Sequence, residues 1–254
     1  MQDSYGNTPL HLVLSEGSYT IQKFLKIYQE ITPKDLAIQN KNLDTPFHTS
    51  IRNGHYFANL KLLHLALKDP HLLIIRNSSN QTVLELAIEV GDNTMVKKFL
   101  QIPELVNHLD NGLTVLMRII SQREDDYACQ IIKTPNAIDY SVVGKFGTTL
   151  HEAVSFCASE IVNEILDLPN VEEIVNICDK SGLTPLNVAL MDESTRIALS
   201  IFKKGGKFVY NELTVKRLKY SHDPIIREAL RPIMSLGNKL NFDLLLKVLH
   251  YLSA

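Results

Sequence analysis

Apolar positions along the chain return in short blocks rather than in one long run. Blocks begin at Leu10, Phe47, Leu84, Leu116, Leu150 and Leu186, and each reads as the start of the buried face of a short helix. A turn and a second, longer helix follow each block. The spacing predicts these second helices over 20–28, 59–67, 94–100, 127–132, 160–166 and 195–203. Ile161, Ile165 and Leu168 show the helical recurrence in the fifth. Pro70, Pro103, Pro135 and Pro169 stand just past four of them, where proline stops a helix. No apolar run reaches the roughly 18 residues that span a bilayer.

The blocks share a phrase. Thr8-Pro9-Leu10-His11 opens the first, and Thr45, Thr82, Thr114, Thr148 and Thr184 open the others, at spacings of 37, 37, 32, 34 and 36 residues. A catalytic motif occurs once, whereas a recurring phrase marks an architectural unit. Glycine two positions before threonine (Gly6, Gly112, Gly182) suits a tight turn with positive φ. The threonine side chain caps the first free amides of a helix. Proline after it fits the first helical residue, where its missing N–H costs nothing. Gly17, Gly54 and Gly91 mark the turn after the short helix.

Thr-Pro-Leu-His, these glycines and the spacing near 33 residues resemble ankyrin repeats, in six copies in register over about residues 1–207. The resemblance implies an all-α solenoid of helix-turn-helix units. Each unit buries its apolar face only against its neighbours. The departures fall on turn chemistry: Leu43, Asn80 and Phe146 stand where glycine is usual, with Gly147 shifted by one position. Val83, Val115 and Thr149 replace proline, and Glu85, Met117 and Asn187 replace histidine. Longer connections are expected around Ile31–Asp35 and Asp69–His71. Residues 208–254 read as a helical C-terminal cap with amphipathic helices over 209–220, 224–236 and 242–252. There Leu230, Ile233, Leu236, Leu244, Leu245 and Leu249 are expected to be buried. The chain opens on a repeat turn without a polar cap, which fits either a part of a larger protein or a chain deliberately cut at that point.

Composition excludes more than it assigns. The chain of 254 residues is 45% hydrophobic and 21% charged, with a net charge of −2. Residues 207–254 carry +4 and 1–206 carry −6, but the basic residues of the tail are scattered, so no nucleic-acid stripe forms. The first residues show no secretory signal. Cys129, Cys157 and Cys178, odd in number and without C-x-x-C spacing, fit reduced thiols in a cytoplasmic protein; Cys157 and Cys178 read as small apolar fillers. His11, His48 and His151 hold the repeat's histidine position, where the resemblance implies a hydrogen bond between neighbouring turns rather than a metal site. His64 and His71 read as solvated. Glu124-Asp125-Asp126 reads as a helix start, and Gly144-Lys145-Phe146-Gly147 lacks the pattern of a phosphate loop. No catalytic residue, cofactor or metal site is expected.

The resemblance implies a monomeric, non-enzymatic scaffold that binds a protein partner, with neither nucleic acid nor membrane, on a concave surface of turn tips and inner-helix ends. On that surface Tyr5 with Arg52 forms one candidate centre, and Phe156 with Lys145 and Lys180 another; Asn53 and Met191 are further candidates for partner binding. A substrate-targeting module of a larger effector enzyme is the alternative. An Asn-, Ile- and Lys-rich composition also resembles host-directed ankyrin effectors of intracellular bacteria, which implies the host cytosol. Asn107 and Asn176 resemble the loop asparagine that asparaginyl hydroxylase modifies, though a loop hydrogen bond explains asparagine there as well.

Overall fold

The computed structural model describes residues 2–16 and 31–209. Gly17, the helix expected over 20–28, the tail helices beyond Val209 and the tail leucines lie outside the described residues. All regular structure among the described residues is helical.

Six inner helices begin where the phrase places them: Pro9–Ser15, Pro46–Arg52, Val83–Glu89, Val115–Ser121, Thr149–Ser155 and Pro185–Met191. The residue before each is the recurring threonine, in extended conformation as an N-cap. Thr8, Thr45, Thr82, Thr114 and Thr184 accept the N–H three residues on. Such caps each stabilise a helix by about 1 kcal/mol. Valine or threonine serves in place of proline at the first helical position, because that residue needs no intrahelical donor. The six residues that start the apolar faces are all buried.

Outer helices follow at Tyr56–Ala66, Asn93–Phe99, Asp125–Lys133, Ser159–Leu166 and Thr195–Lys203. Expected starts at 59 and 127 were late by three and two residues. Glu124 is the N-cap of its helix, and Asp125 and Asp126 fill the first turn. Pro70 and Pro103 stop one helix and start another short piece, Pro70–Ile74 (3₁₀) and Pro103–Val106. The first long connection folds as a turn of helix over Pro33–Leu36, closed by Thr32 and Asp35.

The chain divides into two compact units, residues 1–108 with 136–138, and 109–135 with 139–254. In the first, the inner helices 9–15, 46–52 and 83–89 stack in order, and Phe47 meets Phe99 with ring centroids 5.7 Å apart. In the second, 115–121, 149–155 and 185–191 stack, flanked by the outer helices 125–133, 159–166 and 195–203. Residues 136–138 join the first unit because the N–H of Ala137 donates to Leu100 (2.7 Å) and its carbonyl accepts from the Asn107 side chain (2.9 Å).

After the outer helix Thr195–Lys203, residues 205–209 are held by side chains of the preceding repeats. Thr184 Oγ1 donates to the Lys207 carbonyl (2.8 Å). Asn187 takes both backbone groups of Val209, its Nδ2 donating to the carbonyl (2.7 Å) and its Oδ1 accepting the N–H (3.0 Å). Asn176 likewise grips the Gly205 carbonyl (3.0 Å) and the Lys207 N–H (2.6 Å). A carboxamide satisfies a donor and an acceptor together, which one neutral imidazole nitrogen does not.

Candidate protein-binding surface

Each turn that carries candidate residues is closed from within. Five residues before the threonine, Asp3, Asn40, Asn77 and Asp179 each accept two backbone N–H groups, two and four residues further on, at 2.8–3.1 Å. The recurring Asp/Asn was the signal for these residues, and the glycine and threonine of the phrase drew the reading away from it. Leu43 and Asn80 adopt φ of 55° and 60° in the place of glycine, so the turn survives both substitutions. The fourth turn is a residue shorter: Asn111 and Gly112, both with positive φ, make a two-residue loop between the paired Asp110 and Leu113. That is the Asn-Gly hairpin chemistry of a type I′ turn.

Side chains also link one turn to the next. His11 Nε2 donates to the Asp44 carbonyl (2.9 Å), His48 to that of Gln81 (3.0 Å) and His151 to that of Leu183 (2.9 Å). In each ring Nδ1 accepts from the capping threonine. The rings are therefore neutral Nε2–H tautomers, and burial pushes all three pKa values down. Gln2 and Gln39 add a second link. Each donates to its own turn, at Gly6 and Leu43, and to the residue in its own position one repeat on, Gln39 and Arg76, at 2.5–3.1 Å. Sequence reading missed this ladder, because its partners lie 37 residues apart.

Within the first unit, Tyr5 stands at a tip with 72% of its surface exposed. Arg52 is not a free cation: its guanidinium holds Asp44 through two bonds, at 2.7 and 3.2 Å. Asn53 ends its helix and ties to the Leu14 and Thr49 carbonyls. Within the second unit, Lys145 and Lys180 are exposed and Met191 is half-buried. Phe156 is half-buried, with the Arg123 guanidinium 5.3 Å from its ring centroid and also donating to its carbonyl. Lys145 lies over a different ring, Phe146, 4.8 Å from the centroid. Phe146 was passed over in sequence because it stood where a glycine was missed.

Other sequence expectations resolve locally. Cys157 and Cys178 are exposed, contrary to the reading as apolar fillers; only Cys129 of the three is buried. Cys157 has φ of 52° in the turn where Gly54 and Gly91 stand, and a Cβ at those glycines meets open space. Its Sγ lies 3.3 Å from Ser194 Oγ. Asn107 and Asn176 are both tied to backbone, as a loop hydrogen bond requires. His64 and His71 are exposed. Among the described residues, no three His, Cys, Asp or Glu side chains group as metal ligands, and no helix is long and apolar enough to cross a membrane.

No family model matches the sequence, and no curated protein matches it significantly. Solved structures do match in fold. The ankyrin repeat domain of Bcl-3, described as a unique member of the IkappaB protein family, superposes with a TM-score of 0.65 at 19% identity. The match covers 89% of this chain and 99% of that one.

Proposed function

Given an ankyrin-repeat fold, we propose that the chain is a non-enzymatic recognition module whose protein partner sits on turn tips and inner-helix ends. One observation carries this reading. The turns bearing Tyr5 and Lys180 satisfy their own backbone groups through Asp3 and Asp179, and the turn bearing Lys145 is closed by backbone bonds of Gly144 and Lys145, so these exposed side chains are not needed to hold them. Preorganised backbone with spare side chains is what a binding surface needs, since little ordering entropy remains to be lost. One proposed centre is Tyr5 with Arg52 and Asn53; there Tyr5 is the spare side chain, since Arg52 holds Asp44 and Asn53 holds the Leu14 and Thr49 carbonyls. Lys145, Phe156, Lys180 and Met191 form the other, where the cations favour an acidic partner surface mainly through association rate.

Affinity capture with residues 1–254 followed by cross-linking mass spectrometry tests the reading, and the captured partner is then titrated against variants. Cross-links should reach Lys145 or Lys180. Tyr5→Ala and Phe156→Ala should each weaken binding by about tenfold or more, as truncation at a hot spot does. The thermal midpoint of Tyr5→Ala should stay at the parent value. Unchanged affinity in these variants and in Lys145→Glu would remove the reading.

A further inference from the structure

We propose that the tip of the fifth turn, Lys145 and Phe146, together with Lys180 on the sixth, binds an acidic peptide in which carboxylates flank an apolar side chain. The inference rests on the protein-binding reading above and names the chemistry of the partner.

The turn itself does not call for these residues. Neither Lys145 nor Phe146 has positive φ, so the tip would close equally well with small polar side chains. What the turn does require is the flanking glycines. A Cβ on Gly144 would meet the Gly112 carbonyl oxygen at 2.5 Å, and one on Gly147 would meet the His151 ring at 2.5 Å. The tip is also fastened from both sides. Gly144 N–H donates to the Gly147 carbonyl (2.7 Å), and Lys145 N–H donates to the Gly112 carbonyl (2.6 Å). On this stiff loop Phe146 leaves 54% of its surface in water, with the Lys145 ammonium against the ring. The ring is thus held ready, and burying it against a partner gains apolar area at small entropic cost.

Charge sets the partner's sign. Of the acids of the neighbouring tips, Asp110 pairs with Arg118 at 2.7 Å, and one oxygen of Asp179 is bound by the N–H groups of Ser181 and Leu183. Lys145 and Lys180 are exposed and take part in no ion pair among the described residues. Two ammonium groups beside an exposed ring suit a carboxylate-rich apolar segment. A nucleic acid would call for a longer basic stripe, and the chain's net charge is −2. Neighbouring inner helices pack roughly 10 Å apart, and an extended peptide rises about 3.3 Å per residue. The two lysines therefore match acidic positions roughly three residues apart, with the apolar residue between or beside them.

The test is a selection of displayed random peptides, each roughly a dozen residues long, on the full chain. Winners are then measured by fluorescence anisotropy as synthetic peptides. The expected winners carry Asp or Glu at that spacing around Leu, Ile, Phe or Tyr. Replacing their acids by Asn and Gln should weaken binding about tenfold, and so should Phe146→Ser, Lys145→Glu or Lys180→Glu in the protein. All three variants should keep the parent's thermal midpoint. If no peptide is enriched, or winners ignore the acid replacement or Phe146→Ser, the proposal is overturned. Winners that instead respond to Tyr5→Ala or Arg52→Glu would overturn it while leaving the broader binding reading intact. A mixed-sequence DNA duplex that binds with the same sensitivity to Lys145→Glu would also overturn it.

Discussion

His48→Leu tests the links that join one repeat to the next. The ring is fully buried in the first unit. Its Nε2–H supports the Gln81 carbonyl at 3.0 Å, and its Nδ1 accepts the Thr45 N–H at 3.3 Å and the Thr45 hydroxyl at 2.8 Å. Leucine fills similar space and makes none of these bonds. The Gln81 carbonyl keeps a second donor, the Asn77 N–H at 3.0 Å, so its loss is one net hydrogen bond, about 1 kcal/mol. The buried Thr45 N–H is left without an acceptor, which costs about 1–3 kcal/mol. The sum is roughly 2–4 kcal/mol. At about 4–8 °C per kcal/mol for a unit of this size, the melting midpoint should fall by roughly 10 °C or more.

Acidity supplies an independent check on the same residue. Burial holds the folded-state pKa of His48 below its ordinary 6.5. As pH falls below about 6.5 the unfolded chain takes up a proton that the folded chain refuses, so the wild type loses stability there. Above that pH the contribution is complete. Leucine has no such dependence, so the gap between wild type and variant should be largest near pH 7.5 and narrower near pH 5.5. Urea denaturation followed by far-ultraviolet circular dichroism at both pH values reads it. A variant within about 0.5 kcal/mol of wild type near pH 7.5, or a gap that widens in acid, would refute the argument.

Glu152 is buried in the fifth inner helix with one carboxylate oxygen lacking a partner, and burial raises its pKa above the ordinary 4.5. The folded chain keeps this proton longer than the unfolded chain, so stability falls as pH rises from about 4.5 through the raised value, and stays lower above it. Glu152→Met should therefore stabilise the protein near pH 7.5 by about 1 kcal/mol or more, with less gain near pH 4; an equal or opposite effect in urea denaturation would count against it. Asn107 and Asn176, if substrates, must first release their backbone partners, so co-expression with asparaginyl hydroxylase should add oxygen in proportion to loop opening. Peptide mass spectrometry of native and partly destabilised protein should show the gain rising, and unmodified peptides under both conditions would dispose of it.

The sequence alone determined where the inner helices begin. The threonine cap and the residue three places on meet within one helical turn, so the six inner helices could be placed from spacing and side-chain chemistry. Four prolines likewise marked where outer helices stop. What lies a repeat apart was decided by stacking. His48 and Gln81 are 33 residues apart in sequence, and Gln2 and Gln39 are 37, so no local preference reports whether they meet. Exposure was decided in the same way. Phe156 drew attention as the aromatic side chain, yet its ring lies beside Arg123, 33 residues before it, while Phe146 faces solvent on a loop tied to the Gly112 carbonyl. Cys157 reads as an apolar filler, yet it is exposed, in a turn where it takes positive φ. Periodicity shows which residues begin a helix, but which side chain is left exposed depends on neighbours that only the stacked repeats supply.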